Sequence, residues 1–240
     1  MPRRLVIIIP LLLALVGCSS PMLDFSLSFN AAPDQMPPLP YSVAVRPFRD
    51  LRPQARASAN RKWLGLIPGV LWVDIPTDIP EIYTVFTPYA SRPLPRNVAE
   101  ALAGGLAGAK VFRRVSFDDG EGVGSDFILT GRVKRSRLTE RCYYYGSFMY
   151  AWLTRVFALP YVSFTIEMDY DVRLIRVSDG AEVWRRGFSH AVSDRYHSVY
   201  ELGRGRGGKH LLSALFSRII ADDFPAIRAG IRAALAEEGR

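Results

Sequence analysis

The stretch Phe164-Thr165-Ile166-Glu167-Met168-Asp169-Tyr170-Asp171-Val172-Arg173-Leu174 decides the fold. Phe164, Ile166, Met168, Tyr170, Val172 and Leu174 alternate without a break with Thr165, Glu167, Asp169, Asp171 and Arg173. Successive side chains of a strand point to opposite faces, so this pattern predicts a β-strand with one buried and one wet face. Ser178-Asp179-Gly180 turns the chain, and Glu182 to His190 returns it. A three-residue loop with Gly180 at positive φ sets Leu174 opposite Trp184 and Tyr170 opposite Phe188, an apolar register.

Working outward, Asp126 to Arg137 reads as a strand carrying Phe127, Leu129 and Val133, and Phe112 to Phe117 as a shorter one. Between Pro95 and Ala109, Val98, Leu102, Leu106 and Ala109 recur at helical spacing, with Pro95 suited to the first turn. Gly104, Gly105 and Gly108 allow this helix to approach a sheet closely. Tyr41 to Val45 reads as a buried strand that Pro47 ends, with Phe48-Arg49-Asp50 leading into a loop. Downstream, Lys209 to Ala221 predicts a helix with Leu212, Leu215, Phe216, Ile219 and Ile220 inward. Asp223 then suits the cap of a second helix, with Pro225 in its first turn and Ile227, Ile231 and Leu235 continuing the stripe. The order is strand, helix, four strands, helix. The fold class is therefore α/β (α+β): a mixed sheet of about five strands with helices packed on it, in one domain over residues 41–240.

Val43-Ala44-Val45-Arg46-Pro47-Phe48-Arg49-Asp50, Val98-Ala99-Glu100-Ala101-Leu102, Phe112-Arg113-Arg114-Val115 and Asp126-Phe127-Ile128-Leu129-Thr130-Gly131-Arg132-Val133 form a further pattern. It resembles the anticodon-binding-like α/β domain of envelope lipoproteins: the curli-secretion lipoprotein, the activators of penicillin-binding proteins, and the N-terminal domain of TolB. Asp179-Gly180 and Val183-Trp184 continue the match, which covers most of Tyr41 to Phe188. Its motifs are core and turn positions, so the resemblance implies a fold far more than a function.

The N-terminus gives an address. Arg3 and Arg4 precede an apolar run, Leu5 to Val16, broken only by Pro10, and Gly17 stands before Cys18. That is the layout of a secretory signal peptide over residues 1–17, and the run is short of the about 20 apolar residues a spanning helix needs. Leu15-Val16-Gly17-Cys18 resembles the lipobox of bacterial lipoproteins. The resemblance implies that Cys18 is lipidated, with fatty acids such as palmitate, and becomes the new N-terminus. Each buried methylene of such chains is worth about 0.8 kcal/mol. The plainer alternative is an ordinary signal peptide with an incidental cysteine. Ser19, where an aspartate would retain a lipoprotein in the inner membrane, implies the outer membrane and its periplasmic face. Residues 18–40, polar and proline-rich, suit a lipidated tether.

Composition bounds the rest. The apolar fraction is 49%, ample for a core, and charged residues form no long runs. Cys18 and Cys142 are the two cysteines; with Cys18 lipidated, Cys142 has no partner within the chain and reads as a packed free thiol. The net charge of +8 suits anionic headgroups, an acidic polymer, or simply a solvated arginine-rich surface. An envelope location argues against nucleic acid.

Two insertions interrupt the domain, at 63–91 and 142–163. The first holds Trp63 and Trp72 and, through Tyr89, no Lys or Arg; the second reads CYYYGSFMYAWLTRVFALPYVS. Tyr143, Tyr144, Tyr145, Phe148, Tyr150, Trp152, Trp63 and Trp72 form a candidate partner surface, since aromatic rings with polar tips serve protein docking and the membrane interface alike. The alternative is that the insertions cover each other and the sheet edge. Gly146, Arg155 and Pro160 argue against a transmembrane helix.

No catalytic signature stands out. Gly203 to His210 fits G-x-x-x-x-G-K, but His210 replaces the Ser or Thr that would hold magnesium, so a flexible basic link is the reading. His190 and His197 lack a zinc-ligand spacing, and no nucleophile elbow or carboxylate pair is evident. No cofactor and no metal are expected, and the oligomeric state is left open. The sequence thus predicts a non-enzymatic, outer-membrane-anchored binding or assembly factor of the cell envelope, acting through an envelope protein partner. The alternative is a subunit of an outer-membrane secretion or transport complex, and a periplasmic hydrolase ranks third.

Overall fold

The structure, a computed structural model, describes residues 27–53, 64, 67, 69–78, 94–117, 124–145, 159, 162–196 and 208–238. In chain order the elements are β1 (Leu39–Val45), β2 (Arg49–Asp50), β3 (Trp72–Asp78), α1 (Leu94–Gly108), β4 (Phe112–Phe117), β5 (Phe127–Tyr143), β6 (Val162–Arg176), β7 (Glu182–Tyr196) and α2 (Gly208–Glu238). The fold is α/β, as the sequence predicts: one mixed sheet with two helices packed on it. Its five-strand path runs β4-β1-β5-β6-β7, with the short β2 and β3 both added alongside β5.

β1 pairs in parallel with β4 and with the start of β5, while β5, β6 and β7 form an antiparallel meander. The deciding strand carries the predicted register. Tyr170 lies opposite Phe188 and Leu174 opposite Trp184, the Tyr170 and Phe188 rings stack at 5.2 Å, and Gly180 has φ 72°. The apolar side of β6 is buried beneath the helices, together with Phe127, Leu129 and Val133 of β5. Val98, Leu102 and Leu106 of α1 and Phe216, Ile219, Ile220, Ile227 and Ile231 of α2 supply the other side of this core.

Four local expectations are corrected. The C-terminal segment is one 31-residue helix rather than two, with Pro225 inside it. Its apolar stripe is continuous, so packing holds it together across the missing proline N–H. Asp223 is consequently no cap; its buried side chain is bonded within the core. The glycines of α1 do not serve approach to the sheet: a Cβ on Gly105 would collide with the ring of Phe29 and crowd Phe224 of α2. Finally, Arg49 and Asp50, read as leading into a loop, form a short strand that pairs with Arg132 and Val133 of β5.

The proline-rich segment is also more ordered than a tether. Leu27 is buried, Phe29 packs on Phe224 with centroids 5.1 Å apart, and Ser28 N–H donates to Ser217 Oγ. Asp34 accepts from Arg232 Nε at 2.8 Å and its own N–H donates to the Ala109 carbonyl. Residues 27–37 therefore lie as a strap across the helix layer.

Candidate functional site

β5 runs on past its pairing with β1 and β2, still paired with β6, and the segment joining the two strands is the second insertion. Part of the first insertion becomes β3, which pairs antiparallel with this extension from Trp72 opposite Tyr143 to Asp78 opposite Arg137. The two insertions thus meet at one end of the sheet. The Leu71 carbonyl accepts the N–H groups of both Tyr144 (2.8 Å) and Tyr145 (3.0 Å), and Tyr145 adopts a left-handed φ of 53° as the chain leaves the strand.

One arginine organises the tip. Arg141 Nε donates to Asp74 Oδ1 at 2.6 Å and Arg141 Nη2 to Asp74 Oδ2 at 2.9 Å, a two-pronged match between planar groups. The hydrogen bonds from Arg141 hold the Asp74 carboxyl below its usual range, and the same bonds raise the guanidinium. The Arg141 guanidinium also lies over the Trp72 ring, 5.8 Å from its centroid, so the indole is held flat against a cation rather than folded into the core. Trp72 remains 49% exposed, and Ile67, Leu71 and Leu159 are exposed as well. Of these, Leu71 adjoins Trp72 in the chain and is bonded to Tyr144 and Tyr145, so the tip carries exposed apolar side chains of the kind that mark interaction sites.

Of the sequence-predicted residues, Trp72, Tyr143 and Tyr145 are brought together here, the two tyrosines stacked at 5.9 Å. Tyr144 points the other way, towards Cys142 and Glu140, where burial raises its hydroxyl pKa. Cys142 is a half-buried free thiol whose Sγ lies 3.7 Å from Glu140 Oε1. Cys18, Trp63, Phe148, Tyr150, Trp152 and His197 lie outside the described residues. Arg141 and Asp74 were not singled out by sequence reasoning. A signal existed: the first insertion holds acids but no Lys or Arg up to Tyr89, so Asp74 needs a cation from elsewhere. No helix among the described residues is long and apolar enough to cross a membrane.

A second polar cluster lies in the core. Tyr170 Oη donates to Asp223 Oδ2 at 2.5 Å, and His190 Nε2 lies 2.7 Å from Asp223 Oδ1. Burial, then the bond to Asp223, pushes the tyrosine hydroxyl well above its usual pKa. This trio ties α2 to β6 and β7.

The chain matches no family model and no curated protein. Among solved structures it is similar to a DUF330 protein from Xanthomonas campestris, with 11% identity over 90% of this chain and 98% of that one, at a TM-score of 0.51. It is more distantly similar to PelC from Paraburkholderia phytofirmans, crystallised as a dodecamer (11% identity, 81% and 91% covered, TM-score 0.29). Lipoprotein GNA1162 from Neisseria meningitidis shows a comparable likeness (13% identity, 76% and 97% covered, TM-score 0.25). At this identity the first likeness concerns the fold alone.

Proposed function

We propose that this chain is a lipoprotein acylated at Cys18, held on the periplasmic face of the outer membrane, that works without catalysis as a binding or assembly factor of the envelope. Kinship with the curli-secretion, penicillin-binding-protein-activator and TolB group belongs to the same proposal. The observation that carries the binding role is the tip itself: Trp72 is held exposed by Arg141, beside the Tyr143–Tyr145 stack and exposed Leu71. Removing apolar surface from water yields about 25 cal/mol per Å², so a few such side chains supply several kcal/mol to a partner that covers them. The lipid signal supports the location. Between Cys18 and Leu27 the chain spans at most about 30 Å, which confines the domain to a layer close beneath the bilayer.

The test is photo-cross-linking in intact cells. A photoreactive residue at position 72 should give a defined adduct with one envelope protein, and the same residue at Arg114 on β4 should not. Labelled fatty acid should enter the wild type and not Cys18→Ser. Equal adduct patterns from both positions would remove the docking role, and acyl uptake by Cys18→Ser would remove the anchor.

A further inference from the structure

Lower on the face of β5–β7 that turns away from the helices lies a charge arrangement the tip does not use. Asp171 of β6 is 1% exposed. It accepts from Arg132 Nη2 at 2.8 Å and Arg185 Nη2 at 3.1 Å, with Lys134 Nζ at 3.3 Å. Register adds to the imbalance. Arg173 stands directly opposite Arg185 across β6 and β7, and Arg49 stands beside Arg132 in the pairing of β2 with β5. Like charges directly opposite one another destabilise a sheet. Arg173 reaches the carboxylate of Glu182 only at 3.7 Å, and its Nε is buried without a hydrogen-bond partner. Gly187 is the residue opposite Asp171, and a Cβ there would meet nothing within 4 Å. The carboxylate itself is covered by its cations, but the space over Gly187 beside it is open, and Arg132, Lys134, Arg173 and Arg185, with Arg49 next to Arg132, are the cations of this face.

We propose that this basic patch around Gly187 is a binding site for a phosphate group. Five cations face Asp171 and Glu182, with Asp169 the next carboxylate along the same face of β6, so positive charge remains after these internal pairs are made. Guanidinium forks from neighbouring strands match the oxygens of a tetrahedral anion two at a time, as Arg132 already does with Asp171. A phosphate seated over Gly187 would also neighbour both Arg173 and Arg185, offsetting their mutual repulsion. Two sources supply this chemistry, a phospholipid headgroup and a free phosphate.

Calorimetric titration of the full chain distinguishes them. The probes are inorganic phosphate and a short-chain phosphatidylglycerol below its micelle concentration. Saturation by inorganic phosphate marks a free-phosphate site, and saturation by phosphatidylglycerol alone marks a headgroup site; either supports the proposal. Arg173→Gln with Arg185→Gln should weaken the saturable binding at least about tenfold. Arg113→Gln with Arg114→Gln, an equal charge loss on exposed positions of β4, should leave it unchanged. Should the first pair fail to fold, Gly187→Glu, which fills the open space with a carboxylate, should give the same loss. No saturable binding of either probe, or equal weakening by the two charge-matched variants, overturns the site.

Discussion

Asp171 occupies a position that its strand's alternation marks as wet, yet it is almost wholly covered. The period of two correctly divides β6 into two faces. It cannot say that Arg132, Lys134 and Arg185, contributed by β5 and β7, converge over one carboxylate on the outer face. That knowledge lives in the pairing of strands, and for Lys134 in the irregularity between Val133 and Arg135. Burial pushes the Asp171 carboxyl up, but hydrogen bonds from Arg132, Lys134 and Arg185 outweigh it and hold the group down at about 2. A carboxyl depressed in the folded state contributes its full stability above its unfolded value of 3.8, and that stability is lost as pH falls through the folded value. Asp171→Asn, which leaves three cations facing one another, should therefore cost about 1–3 kcal/mol at pH 7. The difference in Tm between variant and wild type should shrink as pH is lowered from 3.8 towards 2. A difference that stays constant down to pH 2 would show that the carboxylate's charge plays no part.

At the scale of elements, the hairpin of β6 and β7 was legible to the register, because alternation and a glycine turn are local signals that tertiary packing merely confirms. The C-terminal helix was not. Asp223 followed two residues later by a proline reads locally as a cap and first turn. In the folded chain Asp223 is taken up by Tyr170, 53 residues away, and His190, 33 away, both invisible to a local window. With its side chain committed to the core, Asp223 lies within a helix that runs on through Pro225, which is exposed. The proline leaves the Ala221 carbonyl without its helical donor. Pro225→Ala should restore that bond and raise stability by about 1–3 kcal/mol, a Tm gain of several degrees, because an interior proline costs that much while a first-turn proline costs almost nothing. Differential scanning calorimetry decides it: an unchanged or lower Tm would mean that the chain treats position 225 as a helix start.

For the molecule as a whole, the boundary between anchor and domain moves towards the N-terminus. Composition alone makes residues 18–40 look like a spacer, since prolines and small polar residues carry no periodicity. The exceptions, Leu27 and Phe29, are too few to form a pattern, and their significance depends on a groove that only the paired helices create. Gly105 makes that groove: lacking a Cβ, it admits the Phe29 ring beside Phe224. Arg232 then fixes the strap by donating to Asp34 and to the Pro37 carbonyl. A chain shortened to begin at residue 27 should keep the stability of the mature protein. One that begins at residue 41 should lose about 2–4 kcal/mol, from the burial of Leu27 and Phe29 alone. Denaturant unfolding of the two shortened chains measures this directly. Gly105→Ala separates the strap's packing from other consequences of truncation. In the chain that begins at 27 the added methyl displaces Phe29 and should destabilise. In the chain that begins at 41 that clash is gone, and the better helix propensity of alanine, worth about 1 kcal/mol, opposes the remaining contact with Phe224. The cost of Gly105→Ala should therefore be markedly smaller without the strap. Equal costs in both backgrounds would mean that residues 27–37 do not occupy the groove in solution, and that the domain begins where its proline-rich prelude ends.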